Sequence, residues 1–273
     1  MTAARLALGR GEATRLLAPL AQLASEAGAR ILQCTAAGLI PRAKPDLSPV
    51  TAADEAAETI LRAGLARLLP GIPVIAEEAV SRGEETIPSA DFFLVDPIDG
   101  TRELLAGRSE YTVNVALLVG RLPVLGLIYA PALKALYTAA EGRALRAVLE
   151  PGMRFDAGKS VPIHARPRPQ RLVAAMSRSH PDPKSEAFLA ALTIERRLIL
   201  GSSLKFARLA EGEADVYARL APVSEWDVAA GHALLDAAGG RVTAPDGSAL
   251  AYGRHETGFR IDGFLAWGAP PES

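Results

Sequence analysis

The chain has 273 residues, with 30 Lys+Arg against 31 Asp+Glu, 49% hydrophobic residues and 5% aromatics. That length buries one large core or two modest ones, and the apolar content excludes a disordered chain. A net charge of −1 gives no general pull toward polyanions, and a single cysteine excludes a disulfide framework or a Cys-rich zinc site. Cys34 sits among Ile31, Leu32, Leu39 and Ile40, the setting of a small core residue.

In chain order, Leu16–Ala24 is apolar and follows arginines, as in a signal peptide, but Glu12 falls in the would-be basic region and the run is short. Leu16, Leu20, Leu23, Ala27 and Ile31 keep helical spacing, so 14–39 is predicted as the first helix of a cytoplasmic protein, stopped by Gly38 and Pro41. Lys44–Val50 reads as a loop. Thr51 then caps a second helix with Ile60, Leu61, Leu65 and Leu68 on its apolar face, stopped by Pro70–Gly71. The period then changes to short apolar runs, Ile72–Ala76 and Phe92–Val95, each followed by acidic residues. Tyr111–Val119 and Val124–Tyr129 read as strands around a turn at Gly120–Pro123, and Ala135–Ala139 as another. The longest uncharged stretch, 122–133, holds two prolines and is too short for a membrane span, so no integral membrane contact is expected.

From Glu141 to Gln170 the pattern dissolves, and the run Arg166–Arg171 marks a boundary between an N-terminal half, 1–165, and a C-terminal half, 166–273. Beyond it come a strand at Leu172–Met176 and helices near Pro183–Leu192, Ser203–Glu211 and Asp227–Ala238, the last closed by Gly239–Gly240. Val216–Tyr217, Arg241–Thr243 and Gly263–Trp267 are further strand candidates. Helices interleaved with strands in both halves define a layered α/β protein.

The chemistry concentrates at Asp96-Pro97-Ile98-Asp99-Gly100-Thr101. An apolar strand ends in two aspartates three apart, Pro97 fixes the turn, and Gly100 permits an unusual backbone angle. Asp96, Asp99 and the Ile98 carbonyl can then converge as oxygen ligands suited to Mg²⁺ or Mn²⁺ and not to zinc. Thr101 opens a short predicted helix, Thr101–Ala106, whose first amides, with that of Gly100, suit an anion. A surface turn with a helix cap is the plainer reading of the same residues. A second acidic pair, Glu77–Glu78, is delivered by its own strand, and carboxyl ends of strands are where open α/β sheets place ligands. Bringing Glu77, Asp96 and Asp99 together without a cation would cost several kcal/mol. Asp227 fits a helix N-cap as well as a fourth ligand, and Thr51 with Asp54 fits a capping box.

Together, Ser48-Pro49-Val50-Thr51 with Asp54, Glu77–Glu78, the Asp96–Thr101 block, and Trp226–Asp227 followed by Ala238-Gly239-Gly240 resemble the inositol monophosphatase superfamily over about residues 44–240. Ser177–His180, Gly201–Phe206, Ala214–Arg219 and Glu225–Asp227 are more similar to its bacterial 3'(2'),5'-bisphosphate nucleotidase branch. The resemblance implies a layered α-β-α-β-α sandwich and a Mg²⁺-dependent phosphatase, lithium-sensitive and linked to sulfur metabolism. On this basis Glu77, Asp96, Ile98, Asp99 and Asp227 would hold two or three Mg²⁺ ions, with Mn²⁺ as a substitute, while Asp54 and Thr101 handle the proton. Gly100, Thr101, Ser177, His180, Ser203, Lys205 and Arg219, with Glu77, Ile98, Asp99 and Asp227, would line the substrate site. The implied substrate is adenosine 3',5'-bisphosphate, a small molecule and not a nucleic-acid polymer. An inositol or other small phosphate ester is the alternative, and a non-catalytic Mg²⁺ or nucleotide binder the more distant one. Some members of the branch associate peripherally with the inner membrane. Leu104 and Tyr111 stand where phenylalanines are expected, a departure that bears on packing. The few aromatics form no evident adenine-stacking box.

Overall fold

The computed structural model describes residues 11–270. Helix α1 (Glu12–Ala36) is followed by a small hairpin of β1 (Arg42–Ala43) and β2 (Pro49–Val50), then α2 (Ala52–Leu68), β3 (Val74–Ala76) and α3 (Glu77–Ser81). Next come β4 (Phe92–Asp99), α4 (Thr101–Leu105), β5 (Thr112–Val119), β6 (Leu122–Ala130), β7 (Ala135–Ala140), β8 (Arg143–Val148) and β9 (Val161–Pro162). The remaining elements are β10 (Leu172–Ser177), α5 (Pro183–Ala190), β11 (Ile194–Leu200), α6 (Leu204–Ala210), β12 (Val216–Arg219) and β13 (Val223–Ser224). Helix α7 (Glu225–Ala237), β14 (Arg241–Thr243), β15 (Arg260–Ile261) and β16 (Phe264–Trp267) complete the chain.

Strands β3 to β9 form one sheet in sequence order, parallel only at β3–β4. A second sheet runs β11-β10-β12-β16-β14, with β10, β11 and β12 parallel and β16 antiparallel to its neighbours. Three apolar clusters fill the four interfaces between five layers, the largest lining both faces of the central helices, which makes the expected α-β-α-β-α sandwich. Leu20, Ala24, Ile31, Leu61 and Leu65 of α1 and α2 pack on Phe93, Val95, Val115 and Leu127 of the first sheet. Phe206, Ala229, Ala230 and Leu234 of α6 and α7 fill the space between the sheets. Leu189 of α5 covers Leu172, Ala174, Val216 and Trp267 on the outer face of the second sheet. Helix α7 lies so close to β6 that a Cβ at Gly126 would come within 2.4 Å of the Ala230 carbonyl oxygen.

Four local findings differ from the expectations. Helix α1 stops at Ala36 instead of 39, because Gly38 turns left-handed at φ 93°. Of the expected Lys44–Val50 loop, Lys44–Ser48 is the tip of the β1–β2 hairpin, closed by backbone pairing of Lys44 with Ser48, and Pro49–Val50 is its second strand. Strand β8 crosses the stretch that reads as patternless, and β11 follows α5 with no apolar alternation to announce it. Finally, Asp227 is not the cap of α7: Ser224 holds that position and Asp227 lies in the first turn. Leu104 and Tyr111 are both buried in the N-terminal core, so the departures there are packing residues.

Candidate active site

The site lies where the carboxyl ends of β3 and β4 in the first sheet face those of β10, β11 and β12 in the second, and carboxyl ends of strands are where α/β proteins place ligands. Strand β3 hands Glu77 to α3, and β4 ends in Asp96 and Asp99. From the second sheet, β10 ends at Ser177, β12 at Arg219, and Ser203 follows β11, while the first turn of α7 supplies Asp227. They line one cavity of about 320 Å³, which also takes in Ile98, Gly100, Thr101, His180 and Lys205. Every residue expected at the site lines this cavity except Asp54, which lies behind Thr101.

The 96–101 turn is built by its own sequence. Asp96 Oδ1 accepts the Ile98 amide at 2.9 Å, and the pairing of β4 with β5 shifts register between Asp96 and Asp99, where Pro97 donates no amide. Gly100 takes φ 102°, a region an L side chain rarely enters. Oxygens of Glu77, Asp96 and Asp227 lie within 4.8 Å of one another. Burial pushes all three carboxyls upward; at Asp96 the charges of Glu77 and Asp99 add to this, and at Asp227 those of Asp99 and Glu77. A set of buried oxygen donors that repel one another fits a hard divalent cation, which would relieve the repulsion.

Lys44 is one of the residues that motif reading missed. Its Nζ, 5% exposed as a side chain, lies 2.6 Å from Glu77 Oε1 and 2.7 Å from Glu78 Oε1. Burial alone would lower the lysine, but the charges and hydrogen bonds of the two glutamates overcome this and hold it protonated. Glu78 is pushed up to about 8, chiefly by burial and by the adjacent Glu77 charge. Glu58, buried on α2, accepts the Glu78 amide at 2.8 Å and fixes the start of α3.

Asp54 divides its two oxygens. Oδ2 accepts the Thr51 amide (2.8 Å) and hydroxyl (2.7 Å), forming the expected capping box, and Oδ1 accepts the Thr101 hydroxyl at 3.0 Å. Burial raises its pKa against the pull of those hydrogen bonds.

Across the cavity lies a cationic end. Lys205, 4% exposed, donates to the Ser202 carbonyl and sits 5.1 Å from the Tyr217 ring centroid. Among the described residues no carboxylate forms an ion pair with it, and burial lowers its pKa. Arg219 donates through Nη1 to the His180 carbonyl at 2.9 Å, while its buried Nε has no partner. His180 is lowered by burial and by Arg219 and Arg102, which keeps the ring neutral near pH 7. Arg102 also lines the cavity and was not singled out in the sequence. Phe206, Tyr217 and Phe264 reach the wall but pack on one another, Phe206 stacked on Phe264 and Tyr217 edge-to-face with both, with centroids 5.0–5.3 Å apart. They form aromatic packing, not an open stacking slot.

A layered sandwich with a buried oxygen-donor cluster opposite unpaired cations defines a metal-dependent phosphatase type of site. A sequence model of the inositol monophosphatase family matches residues 12–261, and the chain belongs to that family. It is 42% identical over 253 residues to the 3'(2'),5'-bisphosphate nucleotidase CysQ of Salmonella typhimurium, covering 90% of this chain and 99% of that one. With the CysQ nucleotidase of Escherichia coli K12 it is 40% identical over 254 residues, again covering 90% and 99%. Among solved structures, CysQ of Bacteroides thetaiotaomicron, a bacterial member of the same family, aligns with a TM-score of 0.77 at 34% identity, covering 93% and 97%. Among the described residues, no helix is long and apolar enough to cross a membrane.

Proposed function

We propose that the protein is a Mg²⁺-dependent 3'(2'),5'-bisphosphate nucleotidase that converts adenosine 3',5'-bisphosphate and water to AMP and phosphate. One observation carries the substrate choice: among the described residues Lys205 is buried with no carboxylate in ion-pair contact, in the same cavity as the carboxylate cluster and beside the unpartnered Nε of Arg219. Unpaired buried cations call for an anion, and a second phosphate supplies one. A monoester on a neutral ring would leave them unpaired. The similarity to the nucleotidases of Salmonella and Escherichia supports the same choice.

Glu77, Asp96, the Ile98 carbonyl, Asp99 and Asp227 would hold the divalent ions. When bound, these ions supply Lewis acidity toward water and charge neutralisation at the scissile phosphate. The chain's own residues do the rest. Thr101 Oγ1 takes a proton from the attacking water as its own passes along the 3.0 Å hydrogen bond to Asp54 Oδ1, while the bond from phosphorus to the ribose 3' oxygen breaks and that oxygen takes a proton from solvent to leave as the 3' hydroxyl of AMP. Thr51 anchors the other Asp54 oxygen, so the acceptor is aimed before substrate arrives. Gly100 and Thr101 offer amides to the scissile phosphate. Lys205, Arg219 and Arg102 grip the second phosphate, and neutral His180 and Ser177 hydrogen-bond the ribose side.

Phosphate release with Mg²⁺ from adenosine 3',5'-bisphosphate and from inositol 1-phosphate, side by side, tests this reading. The nucleotide should be strongly preferred. Preference for the inositol ester would keep the carboxylate site and remove the two-phosphate reading, and turnover of neither would remove both.

A further inference from the structure

Ser203 occupies the N-cap position of α6, yet its hydroxyl makes no bond to that helix's amides. It lies instead 2.7 Å from Asp99 Oδ2 and 3.0 Å from the Asp227 carbonyl oxygen. Asn114 Nδ2 donates to the Ser203 oxygen at 2.9 Å and is 3.4 Å from Asp99 Oδ2. Asn114 lies on β5 opposite Asp96, and both Asn114 and Ser203 are buried. The preceding Ser202 holds φ 52°, a left-handed conformation that costs a serine energy. A helix start that gives up its own cap and follows a strained residue breaks local rules in favour of something else, as functional sites do. What it gains is a tie between three elements. Asp99 ends β4 of the first sheet, Ser203 heads α6 after β11 of the second, and Asp227 belongs to α7.

We infer that Asn114 and Ser203 are positioning residues that hold the Asp99 carboxylate in register with Glu77, Asp96 and Asp227. This rests on the reading of Asp99 as a ligand of a divalent cation. The Ser203 proton and the Asn114 amide both address Oδ2, which leaves Oδ1 of Asp99 free of the bracket. The resemblance placed Ser203 among substrate contacts; its single hydroxyl proton is already shared between Asp99 Oδ2 and the Asp227 carbonyl oxygen and its oxygen accepts from Asn114, so its work is to aim Asp99 and to hold the two halves of the ligand set at fixed separation. Partners one step removed from a metal commonly change its affinity by about 10- to 100-fold.

Mn²⁺ titration of the full chain by calorimetry reads this directly, with thermal midpoints in chelator as the control for folding. Ser203→Ala should weaken Mn²⁺ about tenfold or more, Ser203→Thr should recover most of the loss because it keeps the hydroxyl, and Asn114→Ala should move in the same direction as Ser203→Ala. Native-like Mn²⁺ binding by a folded Ser203→Ala protein overturns the inference alone. So does unchanged Mn²⁺ binding with a raised KM for adenosine 3',5'-bisphosphate at saturating Mg²⁺, which would return Ser203 to the substrate. If Asn114→Ala does not fold, the Ser203→Ala and Ser203→Thr pair decides. If the native protein binds no Mn²⁺ at millimolar concentration, the ligand reading falls and takes the bracket with it.

Discussion

At the residue scale, Asp54 shows that a helix cap and a hydrogen bond to Thr101 need not compete. The sequence admits both roles, and the structure gives one carboxylate oxygen to each. Asp227 shows the opposite outcome: the cap it might have been belongs to Ser224, and the aspartate faces Asp96 and Glu77 instead. Asp99→Asn keeps the shape of the side chain and removes its charge. If Asp99 is a ligand, the loss of several kcal/mol of charge stabilisation lowers turnover at least about 100-fold, with the circular dichroism spectrum unchanged. Retained turnover would contradict the assignment. The Asp96–Thr101 turn was legible because its chemistry is contiguous: Pro97, Gly100 and two aspartates in six residues. Lys44 was not legible, since its partners Glu77 and Glu78 lie more than thirty positions away and nothing local distinguishes it from a solvated loop lysine.

At the scale of elements, the same contrast separates central from edge strands. Strands β4, β5 and β6 are buried apolar runs and announce themselves, as does α1 through its spacing. Strand β8, near one edge of its sheet, exposes Arg143, Arg146 and Val148 and buries Ala144 on one face and Ala147 on the other, so it shows no regular alternation, and alanine carries little strand signal. Strand β11 is the edge of the second sheet and exposes Glu195, Arg196 and Arg197. Charges of that kind protect an edge from pairing and also hide it from a hydrophobicity reading. How closely α7 lies on β6 was likewise invisible, because only Gly126 marks the approach. Gly126→Ala forces a methyl against the Ala230 carbonyl and should cost about 1–3 kcal/mol, read as a lower thermal midpoint. An unchanged midpoint would show that α7 can shift away without penalty.

At the scale of the whole molecule, the two sheets meet at a site that neither builds alone: the first supplies most acidic groups, and the second supplies Lys205, Arg219, His180 and the α7 aspartate. Assembling that site has a cost that pH reveals. Burial, with mutual repulsion added, raises Glu77, Asp96 and Asp227, and raises Glu78 to about 8. The metal-free folded chain therefore binds more protons than the unfolded chain. Stability that is fully present below the unfolded carboxylate values, near 4, is lost as pH rises through the raised ones. In chelator the thermal midpoint should fall from about pH 6 to about pH 8, and Mg²⁺ should flatten that trend and raise the midpoint, one bound ion stabilising the fold by about 2.7 kcal/mol at a hundredfold excess over Kd. A midpoint indifferent to both pH and Mg²⁺ would contradict the charge balance described here.

The most direct test of the account is the ratio of kcat/KM for adenosine 3',5'-bisphosphate to that for inositol 1-phosphate, in the native chain and in Lys205→Ala/Arg219→Ala. Each cation removed should lose about 1.5–3 kcal/mol of charge-assisted hydrogen bonding to the second phosphate. The native ratio should therefore be large and should fall by about two orders of magnitude or more in the double variant, with the inositol ester little affected. Equal loss on both substrates would contradict the two-phosphate cavity.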